Sequence, residues 1–218
     1  GGKLVAEGAP VNVVHDYFAL RGQTAPALAV APVPDRPLDG VVPLDVPAAV
    51  RQRLATARPG AAHASAGTRA TEIVGFTVSG AGGDERWSIE SGGVLRFWYL
   101  VGAHAPCDDL NVGIHFYDRR GILAFGVGTA NRGIVFPALA AGDRLLCALS
   151  VRLTLQPGEY TLLPQSGGLT GGSPEPGLLH DRLEGLPPIV VTRTAGGPSA
   201  FYGLVELDTD VAWSRLGA

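Results

Sequence analysis

The chain has 218 residues, 46% of them apolar and 17% charged, with a formal net charge of −3. That is enough apolar material for one good core. The absence of any Lys/Arg cluster excludes the basic stripe that nucleic-acid binding requires and disfavours adhesion to an anionic membrane. No run of 18 or more apolar residues occurs, so no membrane span is expected, and the N-terminus lacks the charged-then-apolar pattern of a signal peptide. Both observations point to the cytoplasm. High Gly (31) and Pro (17), interleaved with Val, Ile, Thr and aromatic runs, favour many short strands joined by tight turns. Cys107 and Cys147 have no metal-ligand spacing and are expected as free thiols, Cys147 as a small core residue. The lack of any Met points to a piece of a longer polypeptide.

Residues 1–20 read as a short strand, a Glu7-Gly8 turn and a helix entered through Pro10, with Val11, Val13, Val14 and Tyr17 along it. Residues 21–66 are rich in Ala and Pro, notably from Ala31 to Pro37, and are expected to form a linker. Within them Val46–Leu54 has the makings of a short helix with Pro47 near its start, able to dock on either neighbour.

From Thr68 onward strand signals recur every ten to fifteen residues, which predicts an all-β, antiparallel β-sandwich over residues 67–218. Strands are expected at Thr71–Ser79, Val94–Ala103, Leu110–Asp118, Ile122–Thr129, Asp143–Leu155, Glu159–Gln165, Ile189–Arg193 and Phe201–Leu207. Turns are expected at Gly80–Asp84, Asp118–Gly121, Ala141–Asp143 and Pro157–Gly158, where Gly, Pro and Asp supply the backbone geometry. The stretch from Gly167 to Pro188 reads as a long surface loop.

Alternation puts Leu95, Phe97, Tyr99 and Val101 on one face of their strand, and Val112, Ile114 and Phe116 inside with them. If the two strands pair as a hairpin, Arg96, Trp98, His115 and Tyr117 share the outer face. Aromatic rings match the C–H faces of pyranoses, while Arg, His and Tyr heads reach sugar hydroxyls. That face, with Gln165 at its rim, is therefore a candidate glycan groove. Cross-strand stabilisation or cover by a second subunit is the alternative for such exposed aromatics.

Catalytic signals are weak. His180-Asp181 places a carboxylate beside an imidazole, but adjacent residues rarely work as an acid–base pair, so catalysis there is the weaker expectation. Asp108-Asp109 sits in a turn without a carboxylate partner, and neither a Gly-x-Ser-x-Gly elbow nor a His-Glu-x-x-His motif occurs. There is also no Gly-x-x-x-x-Gly-Lys-[Ser/Thr] phosphate loop and no Leu-Ser-Gly-Gly signature, so the chain is expected neither to bind nor to hydrolyse ATP. No cofactor or metal is implied.

Four segments in order carry a family likeness: Gly67-Thr68-Arg69-Ala70-Thr71-Glu72-Ile73, Gly113-Ile114-His115-Phe116-Tyr117-Asp118-Arg119-Arg120-Gly121, Leu155-Gln156-Pro157-Gly158-Glu159-Tyr160-Thr161-Leu162, and Leu179-His180-Asp181. Together they resemble the C-terminal domain of Wzt-type ATPases of ABC transporters that export O-antigen and related polysaccharides. Residues 1–20 likewise resemble the last strand and helix of an ABC ATPase domain. The resemblance implies an immunoglobulin-like fold and a domain that binds the glycan and does no chemistry. It further implies a lipid-linked polysaccharide ligand, a permease partner reached through the ATPase domain, and a place at the inner membrane as a peripheral part of the transporter. A two-fold homodimer follows from the pairing of ABC ATPases, with the strand around Phe201–Leu207 free to cross between copies. The competing expectation is a module that only dimerises and positions the ATPase domains.

Overall fold

In a computed structural model of the chain, residues 44–56, 67–169, 176–194 and 203–205 are described. The expected strand and helix of residues 1–20 and most of the linker lie outside them. The described elements are helix α1 (Ala48–Thr56) and strands β1 (Thr71–Ser79), β2 (Ser88–Glu90), β3 (Val94–Ala103), β4 (Asn111–Tyr117), β5 (Leu123–Gly128), β6 (Arg144–Arg152), β7 (Gly158–Leu169), β8 (Pro176–Arg182) and β9 (Ile189–Thr192). They form a three-stranded sheet in the order β1-β3-β6 and a six-stranded sheet in the order β2-β9-β7-β4-β5, with β8 also paired to β7. The architecture is mostly β, but the sheets are mixed. The β2–β9 pair is parallel, whereas every other strand pair is antiparallel.

The two sheets share one apolar core. Leu95, Phe97, Tyr99 and Val101 of β3 meet Val112, Ile114 and Phe116 of β4 there, all fully buried as the alternation predicts. The Phe97 and Phe116 rings meet edge to face at 5.5 Å, and the Tyr99 hydroxyl donates to the Gly113 carbonyl at 3.0 Å. That bond gives the one polar tip in this part of the core its partner. Cys147 and Cys107 are both free and buried, and burial raises their thiols to about 12 and about 11.

The turns follow their chemistry. Asp118 accepts the N–H groups of Arg120 and Ile122 at 2.9 Å each through one carboxylate oxygen, and Gly121 turns the chain at φ +77°. Downstream, the Tyr160 hydroxyl donates to the Gln156 carbonyl at 2.7 Å and ties the Pro157-Gly158 turn to the start of β7.

Three expectations need correction. First, β3 and β4 do not pair. β3 lies between β1 and β6, and β4 between β5 and β7, so the two strands face each other across the core from opposite sheets. Second, the outward side of β3 is covered. Val46, Val50 and Leu54, four apart on one face of the chain entering and forming α1, bury Trp98 completely, with Leu100, Leu146 and Ala148 alongside. Arg53 fastens the helix through Nη2 to the Gly83 carbonyl at 2.6 Å and through Nε to Thr77 Oγ1 at 3.1 Å. The helix expected near Pro47 thus forms and docks on the β unit.

Third, the segment expected as a long loop from Gly167 to Pro188 contains a strand. β7 runs on to Leu169, and β8 returns beside it with Gln165 opposite Arg182 and Ser166 opposite Asp181. The register slips near Gly167, and its missing side chain matters: a Cβ there would lie 2.7 Å from the Leu178 carbonyl oxygen. Of the expected strand Phe201–Leu207, only residues 203–205 are described. There Val205 bridges Leu155 and the Leu204 carbonyl accepts from Gln156 N–H at 3.0 Å.

Candidate functional site

Because Val112, Ile114 and Phe116 point into the core, His115 and Tyr117 point outward from the six-stranded sheet. The same alternation on β7 buries Tyr160 and Leu162 and turns Leu163 and Gln165 outward. Register then places Gln165 beside Arg182 of β8 and His115 beside Gly126 of β5. His115, Gln165, Tyr117 and Arg182 consequently gather on one half-buried outer face.

The Gln165 amide nitrogen lies 3.3 Å from His115 Nε2. With the amide as donor, the imidazole accepts through Nε2 and carries its proton on Nδ1. Burial holds the His115 pKa below its ordinary value, and the positive charge of Arg182 adds to the effect. Both effects favour the neutral ring that the acceptor role of Nε2 requires. Tyr117 meets it edge to face at 6.2 Å. Gly126 makes room for it, since a Cβ there would stand 2.8 Å from His115 Cδ2. Arg182 Nη2 in turn bonds Glu184 Oε1 at 2.6 Å, in a pair only 19% and 26% exposed.

Of the five residues expected in the groove, the sheet topology brings together His115, Tyr117 and Gln165. Arg96 and Trp98 belong to the other sheet, and Trp98 is in its own small core with its indole N–H on Ser79 Oγ at 2.9 Å. Arg182 and Glu184 escaped the sequence reading because their segment was taken for a loop. The signal that would have found Arg182 is the alternation Asp181-in, Arg182-out beside the quoted His180-Asp181 motif.

His180 and Asp181 are structural. Asp181 Oδ2 accepts the Ile73 N–H of β1 at 2.8 Å, and its other oxygen accepts the Arg182 N–H at 2.9 Å. Thr71 Oγ1 lies 3.0 Å from Ser166 Oγ and 3.1 Å from His180 Nδ1. Burial raises the Asp181 pKa against the pull of those N–H groups, and burial lowers that of His180. Two segments about a hundred residues apart are thereby stitched together: Thr68 and Arg69 donate their N–H groups to the Leu179 and His180 carbonyls at 3.1 and 2.8 Å. Asp109 has a comparable scaffolding task, accepting the Leu169 N–H at 3.0 Å. Among the described residues no cluster of His, Cys, Asp and Glu is arranged to hold a metal ion.

Comparison with known proteins bears on the family and the fold. The model of the family described as the Wzt C-terminal domain matches residues 62–207. A crystal structure of the C-terminal domain of wzt superposes with a TM-score of 0.59 at 19% identity, over 74% of this chain and 95% of that one, which shows a common fold. No curated protein matches the sequence. The family match spans well over half of the chain, and it takes in all four quoted segments together with the face that carries His115, Tyr117 and Gln165. The chain therefore belongs to the Wzt C-terminal domain family, the non-catalytic carbohydrate-binding domains of polysaccharide ABC exporters.

Proposed function

We propose that the outer face of the six-stranded sheet around His115, Tyr117 and Gln165, with Arg182 at its side, is where this domain holds the glycan. One observation carries the reading: an imidazole, an amide and a phenol converge on one half-buried outer face, and among the described residues no cluster of His, Cys, Asp and Glu arranged to hold a metal lies beside them. Such a set grips sugar hydroxyls from several directions while the rings meet the C–H faces. Arg96 and Trp98 have no part in it. Titration with the polysaccharide of the source organism tests the assignment. His115→Ala and Gln165→Ala should each weaken binding several-fold while Arg96→Ala leaves it unchanged, and equal binding by all three would remove the face from consideration.

We extend this reading to the rest of the assembly by likeness to the family. In the complete exporter subunit, residues 1–20 form the end of the ATPase domain and 67–218 the glycan-binding unit, with 21–66 the connection, whose helix α1 docks on that unit. The unit recognises a lipid-linked glycan for export, reaches the permease through the ATPase domain, and sits peripherally at the inner membrane as a homodimer. The last point is supported by the prevalence of two-fold symmetry, and light scattering at high micromolar concentration checks it. Among the described residues no helix is long and apolar enough to cross a membrane. An immunoglobulin-like sandwich is the finer reading of the fold. The shared two-sheet core supports it, as does the Tyr160–Gln156 bond, which has the form of a tyrosine corner.

A further inference from the structure

A slip in one strand pair shapes the end of this face. Across β4 and β5, Phe116 is opposite Phe125 but Tyr117 is opposite Leu123, so Ala124 is the extra residue of a β-bulge. Ala124 packs against the core. In an unbroken register Ala124 would stand opposite Tyr117, and Leu123 would come one place further along, on the inward side. The bulge instead sets Leu123 beside Tyr117 on the outer face, where it is 49% exposed. On the other flank, β7 brings Leu163 opposite His115 and the exposed Thr161 opposite Tyr117. The Tyr117 ring, edge to face with His115, therefore has a leucine on each side, Leu123 directly opposite and Leu163 on the diagonal. Next to this apolar ledge stand the hydrogen-bonding heads of His115 and Gln165, 3.3 Å apart.

An exposed leucine by itself needs no explanation. A leucine turned outward by a bulge, against an aromatic ring and at the margin of a polar cluster, is a different matter, because bulges recur where a side chain is re-aimed beside a binding site. From this we infer that the face takes a glycan containing a 6-deoxyhexose, with the C6 methyl group on the ledge of Leu123, Tyr117 and Leu163 and the ring hydroxyls on His115 and Gln165. This inference rests on the glycan-face reading above and adds the class of sugar. A 6-deoxyhexose is divided as the face is divided: one corner of the ring carries a methyl group and the others carry hydroxyls. A hexose in the same pose would bring its C6 hydroxyl against leucine side chains, which displace its water and offer no partner.

An array that pairs hexose oligosaccharides with 6-deoxy counterparts of the same configuration, mannose with rhamnose and galactose with fucose, tests this on the whole chain. The best 6-deoxy glycan should bind at least about fivefold more tightly than its matched hexose, the scale of one methyl group buried. Leu123→Ala, at a position the core does not use, should bring the two affinities within about twofold of each other. His115→Ala removes a contact common to both sugars, so it should weaken them alike and leave their ratio standing. O-methylated hexoses form a third arm, because their methyl group stands off another edge of the ring, and a preference for them over the 6-deoxy sugars overturns the assignment to C6. A wild type that binds the matched hexose equally well, or a ratio that survives Leu123→Ala, also overturns the inference while leaving the glycan face in place. Silence towards every glycan on the array and towards the polysaccharide of the source organism overturns the face itself.

Discussion

Trp98 and Ser79, on neighbouring strands of the three-stranded sheet, are joined by an indole N–H to hydroxyl bond of 2.9 Å in a site sealed by Val46, Val50 and Leu54. A residue of sugar-stacking type is thus spent on holding a helix. Trp98→Ala should destabilise the domain by about 3–5 kcal/mol, as large aromatic truncations in cores do. Trp98→Phe should cost less and chiefly the hydrogen bond. Denaturant unfolding measures both, and glycan binding by the folded fraction should be unaltered.

Gly83 tests the same junction from the other side. It turns the chain at φ +84°, and a Cβ there would come within 2.6 Å of Pro47 at the start of α1. Gly83→Ala should therefore cost about 1–2 kcal/mol for the left-handed backbone alone and loosen the helix besides. The expected readout is a red shift of Trp98 fluorescence with the β-sheet circular dichroism retained. An unshifted spectrum would argue that the helix holds without this contact.

Asp181→Ala leaves the N–H groups of Ile73 and Arg182 without their acceptor. A loss of about 1–3 kcal/mol is expected from the buried Ile73 N–H, with a smaller addition from the part-buried Arg182 N–H. Asp181→Asn keeps one acceptor oxygen and should recover part of it. Thermal unfolding of the pair gives the comparison, and equal midpoints for wild type and Asp181→Ala would exclude the scaffolding role.

Acid should weaken the fold. His115 and His180 both have folded pKa values below 6.5, so over the interval between those values and 6.5 the unfolded chain binds more protons and stability falls as the pH drops. Glu72, held down by His104 and Arg69, works in the same direction below 4.5. Asp181, whose pKa is raised above 3.8, works in the opposite direction in the carboxylate range. The unfolding midpoint should consequently decline from pH 7.5 to 5.5, and less so in His180→Gln. A flat profile over that interval would count against neutral imidazoles at both positions.

Gly126→Ala should push the His115 ring off its seat without touching the core. Glycan affinity is expected to fall by a factor corresponding to about 1 kcal/mol, the scale of a lost aromatic contact, with the unfolding midpoint nearly unchanged. Unaltered affinity would mean that the ring position is irrelevant to binding.

The sequence was most legible where one strand decides its own fate. The limits of β1 and β3 follow from their apolar runs, and the inward set of β3 and β4 follows from alternation alone. Pairing is a different matter. Only His104–Leu110 separate β3 from β4, a length equally suited to a hairpin or to a step from one sheet to the other. Alternation says which side of its own sheet Trp98 occupies, but not which sheet that is or what lies above it. The cover came from α1, whose short apolar row of Val46, Val50 and Leu54 has no meaning until its partner is known. β8 was hidden for a local reason: it opens with Pro176-Gly177, residues that disfavour strands, and it holds its place through the Gly167 close approach and the Asp181 bonds.

Helix α1 ends at Thr56, whereas the family likeness begins at residue 62. A fragment cut where the likeness starts would present bare Trp98, Leu100, Leu146 and Ala148 to water, an adhesive stripe along an otherwise well-behaved surface. The smallest piece able to stay dispersed therefore starts upstream of Val46. Any exchange of this unit between exporters has to carry the helix along with the sheets, because the sheets by themselves would stick to one another before they met a sugar.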